Sequence, residues 1–249
     1  MKYEAKLAPM PVTIDDRLPV TEMFHSIQGE GRFAGLPAIF IRFKYCNLGC
    51  SWCDTRYSWD QDKIEPGVSR TAAELTEQAV HLAQLHAAGP ATLHIVFTGG
   101  EPMLHQSQIP GLVKSLRAAG FSFFEIETNG TIVPSKAMCT AISWWNCSPK
   151  LSNNGLTREV NIVPEALRAI AASGKADFKF VVQSEEDVAE LIRDIQPHLS
   201  GSSIWLMPEG MSTRRQLELT PAVMALCTKY GCCFSPRLHI LAWGNERGR

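Results

Sequence analysis

Apolar positions in this chain cluster in short runs rich in β-branched and aromatic residues, each followed by polar or glycine-bearing punctuation and then by a helical repeat. The runs fall at 39–43, 93–97, 123–127, 143–147, 177–182 and 203–207, with a possible seventh at 232–235. Near-continuous apolar character of this kind suits strands buried on both faces, as in a parallel sheet. Between the runs, Thr71-Ala-Ala-Glu74 is a capping box that opens a helix to about Ala88. Further helices are predicted over 110–119, over 164–172 and from the Ser184–Asp187 cap to about Ile195. A last one has Thr220 as N-cap and Pro221 at its first position, ending at Gly231. The weaker segment 128–143 predicts only a short helix around 135–140.

This alternation predicts an α/β protein with a mostly parallel sheet and its ligand at the carboxyl ends of the strands. The punctuation follows the strands accordingly: Thr98-Gly-Gly-Glu-Pro102, Thr128-Asn-Gly130, Ser148-Pro-Lys150, Gln183 and Pro208-Glu-Gly210 should converge on one rim. No repeat or linker interrupts the chain, which predicts a single domain over 21–249 after an N-terminal extension, 1–20, to which no role is given. No apolar run approaches the roughly 18 residues of a membrane helix, and the first twenty residues do not read as a signal peptide. The expectation is a cytoplasmic protein without membrane contact. With 24 basic against 25 acidic residues, direct grip on nucleic acid is not expected either.

In that compartment the eight cysteines stay reduced unless they hold a metal or do chemistry. Cys46, Cys50 and Cys53 lie within eight residues, after a strand. Structural zinc and ferredoxin sites want four ligands, and Cys147, His25 and His239 are candidates for a fourth, none at knuckle spacing. Three thiolates alone suit an iron–sulfur cluster with one open iron. Cys232 and Cys233 read as buried apolar cysteines, Trp144 and Trp145 as core. His81 and His86, five apart, do not share a helix face.

Cys46-Asn-Leu-Gly-Cys50-Ser-Trp-Cys53 resembles the cysteine loop of radical S-adenosylmethionine enzymes, and Thr98-Gly-Gly-Glu-Pro102 resembles their glycine-rich turn. The flanks Phe24-His-Ser-Ile-Gln-Gly-Glu-Gly31, Arg42, Asp54-Thr55, Glu127-Thr-Asn-Gly130, Ser148-Pro-Lys150 and Phe178–Gln183 extend the likeness. Together they are similar to the 7-carboxy-7-deazaguanine synthase family, from Val20 to Gly244.

The resemblance implies a partial (β/α)6 barrel of the radical S-adenosylmethionine type. It implies a lyase of the queuosine and deazapurine pathway that converts 6-carboxy-5,6,7,8-tetrahydropterin to 7-carboxy-7-deazaguanine and ammonia. Cys46, Cys50 and Cys53 would hold a [4Fe–4S] cluster whose fourth iron takes S-adenosylmethionine, and Thr55 would bind Mg²⁺. Ile27, Gln28, Gly29 and Glu30 would hold the pterin, Arg42 its carboxylate, with Thr98 and His239 also facing it. Trp52, Cys53, Asp54, Gly100, Glu101, Glu127, Ser148, Pro149, Lys150 and Gln183 would line the cofactor, with Glu101 or a carbonyl accepting from its ammonium. A homodimer and a flavodoxin or ferredoxin reductant are implied too. The tail departs from the family: relatives often carry Gln-x-His-Lys where this chain reads Arg237-Leu-His239-Ile240. Two other readings share features: a glycyl-radical activating enzyme, with the same cysteine spacing, and a non-catalytic iron–sulfur or zinc module.

Overall fold

The computed structural model of the protein describes residues 6–9, 16–86 and 89–249. Among these, nine strands form one open sheet: β1 (Leu18–Ile27), β2 (Pro37–Phe43), β3 (Val68–Arg70), β4 (His94–Gly99), β5 (Phe123–Thr128), β6 (Trp144–Cys147), β7 (Ala176–Val182), β8 (Ser203–Pro208) and β9 (Cys233–Phe234). The order is β3-β1-β2-β4-β5-β6-β7-β8-β9. Every pairing from β2 to β9 is parallel, whereas β1 runs antiparallel to both β2 and β3. The sheet is therefore mostly parallel and unclosed, the architecture of a partial barrel.

Between strands lie α1 (Ala72–Leu85), α2 (Ile109–Ala118), α3 (Lys136–Ala141), α4 (Arg158–Asn161), α5 (Pro164–Ala171), α6 (Glu185–Asp194) and α7 (Thr213–Tyr230), with α8 (Leu238–Trp243) near the C-terminus. The caps at Thr71 and Ser184 are complete capping boxes, and Ser135 caps α3. The predicted end of the first helix, at Ala88, falls outside the described residues. Helix α7 departs from expectation: it starts two turns earlier, capped by Ser212, and carries Pro221 inside. The hydroxyl of Thr220 turns back to the Gln216 carbonyl at 2.7 Å, so it does not cap. The expected role of Pro221 rested on its missing N–H, which the helix interior tolerates here.

The first strand is the other difference. β1 begins at Leu18, inside the segment expected as an extension, and Lys6–Ala8 bonds to the chain at 59–61 through Ala8 N–H to Trp59 O and Gln61 N–H to Lys6 O. Residues 1–5 and 10–15 of that segment lie outside the described residues. β1 escaped the apolar pattern because only Met23 and Phe24 are apolar between Thr21 and Ser26.

The two faces of the sheet are unlike. One carries Ile39, Ile41, Phe43, Ile95, Phe97, Phe124, Ile126, Trp145 and Phe178, packed with α1, α2 and α5 in one core. The opposite face is polar toward the strand ends: register places Glu22 beside Arg42 and Arg42 beside Thr98, and sets Glu127 beside Asn146. The strands are thus not apolar on both faces. Alternating positions supply Arg42, Thr98, Glu125, Glu127, Asn146 and Lys179 to the concave side.

Candidate active site

A cavity of about 360 Å³ opens at the carboxyl ends of the strands, within the range typical of small-molecule sites. It is lined by Cys46, Cys50 and Cys53 on one side and by Ile27, Gln28, Gly29 and Glu30 on another. Arg42, Trp52, Asp54, Thr55, Thr98, Gly100, Glu127, Ser148, Lys150 and His239 complete the expected set that reaches it.

The cysteine loop is held by polar ties rather than by regular structure. Asn129 donates to Asn47 Oδ1 at 2.9 Å, Asn47 donates to Thr131 Oγ1 at 2.8 Å, and Ser51 N–H reaches Asn154 O at 2.9 Å. The Gly99-Gly100 turn packs directly on the loop's backbone. A Cβ on Gly100 would meet Tyr45 O at 2.0 Å, and one on Gly99 would meet Phe43 O at 2.2 Å. These glycines are therefore required for strand β4 to close against the loop, in addition to leaving Gly100 open to the cavity.

Each cysteine sulfur accepts a donor: Leu48 N–H at 3.4 Å from Cys46, Asn154 Nδ2 at 3.4 Å from Cys50 and Trp59 Nε1 at 3.2 Å from Cys53. Such bonds suit thiolate ligands. Burial pushes the Cys46 and Cys53 thiols up, so loading a cluster must release protons. The candidate fourth ligands fall away. Cys147 is buried in the core, His25 stacks on His86 at 4.1 Å, and His239 sits across the cavity beside Glu30. Among the described residues no three His, Cys, Asp or Glu side chains converge as a single-ion site needs. A donor set of three hydrogen-bonded sulfurs on one cavity fits a cluster with an open iron. Thr55, with its hydroxyl 3.5 Å from Cys53 Sγ, offers one hard oxygen and leaves other positions to water or substrate, as Mg²⁺ prefers.

Three expected cofactor residues do not reach the cavity. Glu101 is fully buried, and its oxygens are already taken by Met103 N–H at 2.9 Å, Thr128 Oγ1 at 2.7 Å and Asn129 N–H at 2.7 Å. Burial raises its carboxyl, and those donors oppose the rise. It holds the two turns together, with three of its roughly four acceptor sites taken by these donors. Pro149 is buried beneath Ser148 and Lys150, and Gln183 is exposed at the start of α6, its N–H donating to Asp187 at 2.7 Å. The reading of Cys232 and Cys233 as buried apolar cysteines is corrected: at the edge of the sheet, where no further strand covers them, Cys232 is only partly buried and Cys233 is exposed.

The remaining groups form a charged network. Thr98 donates to Glu127 at 2.7 Å, and Gln28 Nε2 lies 3.3 Å from Glu125 and 3.4 Å from Glu127. Arg42 donates through Nε to Glu22 at 2.7 Å. Glu30 pairs with Lys179 and, at 2.9 Å, with Arg237; Arg237 also pairs with Asp54. Burial would raise the Glu30 carboxyl, but the Lys179 and Arg237 cations outweigh it and hold it well below the usual range. Burial keeps His239 below an ordinary histidine and therefore neutral. Glu22, Glu125, Lys179 and Arg237 were missed from sequence. For Glu125 and Lys179 the signal was available, as charged residues in an otherwise apolar strand, and for Arg237 as a departure from the family motif; Glu22 lies in a strand without that apolar background.

Residues 40–143 match the radical SAM superfamily. The chain is 35% identical to the 7-carboxy-7-deazaguanine synthase of Pyrobaculum aerophilum, over 94% of this chain and 98% of that protein. It is 33% identical to the enzyme of the same name from Hyperthermus butylicus, over 90% and 92%. The crystal structure of QueE from Escherichia coli aligns with a TM-score of 0.66 and 26% identity over 90% of this chain and 96% of that one. Native anSMEcpe with bound AdoMet, at 16% identity and a TM-score of 0.54, shares the fold. With the three-cysteine cavity at the strand ends, these likenesses place the chain in the 7-carboxy-7-deazaguanine synthase family of radical S-adenosylmethionine enzymes.

Proposed function

We propose that this chain converts 6-carboxy-5,6,7,8-tetrahydropterin to 7-carboxy-7-deazaguanine with loss of ammonia. The observation that carries the reading is that the cysteine triplet, Thr55, the Gln28–Glu30 loop and Arg42 all open into one cavity. When bound, the reduced [4Fe–4S] cluster supplies the electron for reductive cleavage of S-adenosylmethionine, which is regenerated.

The chain's own residues bind and orient. Glu30 spends one lone pair on Lys179 and one on Arg237, so its carboxylate keeps acceptor capacity for the pterin's amino and ring N–H groups. Arg42 meets Glu22 through Nε, which leaves its two Nη groups for a bidentate grip on the substrate carboxylate. Gln28 is oriented by Glu125 and Glu127, so its carbonyl oxygen turns to Glu30 N–H at 3.2 Å and stiffens the loop. Ile27, Gly29, Thr98 and His239 would face the pterin. Trp52, fixed through Nε1 to Asn153 O at 3.1 Å, and Glu127, Asp54, Ser148, Lys150 and Gly100 would receive the cofactor. Thr55 would hold Mg²⁺ between them.

In this reading the enzyme works in the cytoplasm as a homodimer reduced by a flavodoxin or ferredoxin, without touching nucleic acid, and its product feeds deazapurine synthesis. Among the described residues no helix is long and apolar enough to cross a membrane. The test is an anaerobic assay of reconstituted protein with S-adenosylmethionine, reductant, Mg²⁺ and 6-carboxytetrahydropterin, read by mass spectrometry. Formation of 7-carboxy-7-deazaguanine that disappears with Cys50→Ala supports the reading. Cofactor cleavage without product would sink the pterin assignment.

A further inference from the structure

Arg237 sits where three segments meet. Its Nε donates to Glu30 Oε1 at 2.9 Å, one Nη donates to Gly210 O at 2.8 Å, and the other pairs with Asp54. Glu30 belongs to the loop after β1, Gly210 to the turn after β8, and Asp54 to the cysteine loop, directly between Cys53 and Thr55. The side chain is only 10% exposed. Its neighbours back the same loop: Gly31 N–H donates to Ser235 Oγ at 2.8 Å and Leu238 N–H to Gly29 O at 3.0 Å. The His239 ring lies so close to Gly29 that a Cβ there would meet Nδ1 at 2.3 Å.

A guanidinium is suited to this place because its planar fork reaches two carboxylates and a carbonyl at once, which an ammonium or an amide does not. Removing it would leave two partly buried carboxylates without their shared cation. Any shift of Glu30 toward a ligand's N–H must move Arg237, and through it the residue between a cluster cysteine and Thr55. We propose that Arg237 is a positioning residue that couples the pterin loop to the cysteine loop, so that pterin occupancy sets the geometry in which the cofactor is cleaved. This rests on the reading of Glu30 as the pterin acceptor.

The test uses the full-length reconstituted enzyme with Arg237→Gln and Arg237→Lys. Iron content and cluster absorption should match wild type. The ratio of 5′-deoxyadenosine formed to 7-carboxy-7-deazaguanine released should rise about tenfold in the glutamine variant, within the usual span of coupling between sites. Binding of 6-carboxypterin, followed by its fluorescence without turnover, should tighten with S-adenosylmethionine in wild type and lose that response in the variant. The lysine variant, which keeps the charge but not the fork, should fall between. Cleavage and product falling in equal proportion, or pterin binding that still responds to the cofactor, would overturn the proposal. Should the glutamine variant fail to hold its cluster, the same two readouts on the lysine variant decide. A wild-type enzyme that makes no product condemns the functional reading itself; product with an unchanged ratio in the variants condemns only the role of Arg237.

Discussion

Trp59 donates its indole N–H to the Cys53 sulfur at 3.2 Å from a fully buried ring. The bond is the only feature of this tryptophan that a phenylalanine lacks and the sulfur can sense. An N–H pointed at a ligand sulfur stabilises the more negative, reduced form of a cluster, one of the levers that set its potential. Trp59→Phe should therefore keep the cluster but lower its midpoint potential, as read by a redox titration followed by electron paramagnetic resonance. A midpoint equal to that of wild type would remove Trp59 from the ligand environment.

The glycines after β4 make a second prediction, on stability. In Gly100→Ala the methyl meets the Tyr45 carbonyl, a backbone atom, with no flexible group to give way. The strand end and the cysteine loop must separate. The expected cost is about 1–3 kcal/mol, as for overpacking elsewhere, with a thermal midpoint below that of wild type before any cluster is loaded. Misplacing the cysteine loop should also slow cofactor cleavage by about 10²-fold. An unchanged midpoint in the cluster-free protein would mean that the turn is looser than its contacts imply.

Much of this was legible beforehand. Strands β2 and β4 to β8 announced themselves because one of their faces is continuously apolar, and Thr71 and Ser184 because a capping box is a local motif that needs no tertiary context. What escaped has a common cause. Glu125, Asn146 and Lys179 fall inside runs taken as apolar throughout, whereas the alternation in Phe123–Thr128, Trp144–Cys147 and Ala176–Val182 places them on the concave face. Arg237 escaped because its partners, Glu30 and Asp54, are some 200 residues away along the chain, so that no local spacing hints at them. Glu101 poses the opposite question: its motif marks it out, but sequence does not say whether a carboxylate in a turn faces a ligand or the protein's own donors, three of which reach it here.

Thr55 carries a prediction that separates the metal from the cluster. Its hydroxyl stands beside Cys53 yet is the hard oxygen of the pair. Thr55→Ala should leave the cluster spectrum intact and raise the Mg²⁺ concentration needed for half-maximal product formation, and Thr55→Ser should recover most of the response. If all three proteins respond to Mg²⁺ alike, the ion is held elsewhere.

The Glu30 ion network makes stability depend on acid in a defined direction. Burial would raise its carboxyl, but Lys179 and Arg237 press it below its unfolded value of about 4.3. In that window the unfolded chain binds the proton more readily than the folded one, so the contribution is fully present above the unfolded value and is lost as pH falls toward the folded value. Glu30→Gln removes the titrating group and leaves Lys179 without its charge partner. The variant should be less stable at pH 7 by about 3 kcal/mol, as when one partner of a buried pair is removed. The deficit should shrink as the pH is lowered from 5 to 3, because wild type loses there what the variant never had. Urea unfolding at pH 7, 5, 4 and 3 measures both curves. Curves that stay parallel across that range would mean that Glu30 is not held ionised in the fold, and the pairing with Lys179 and Arg237 would then carry none of the acid sensitivity.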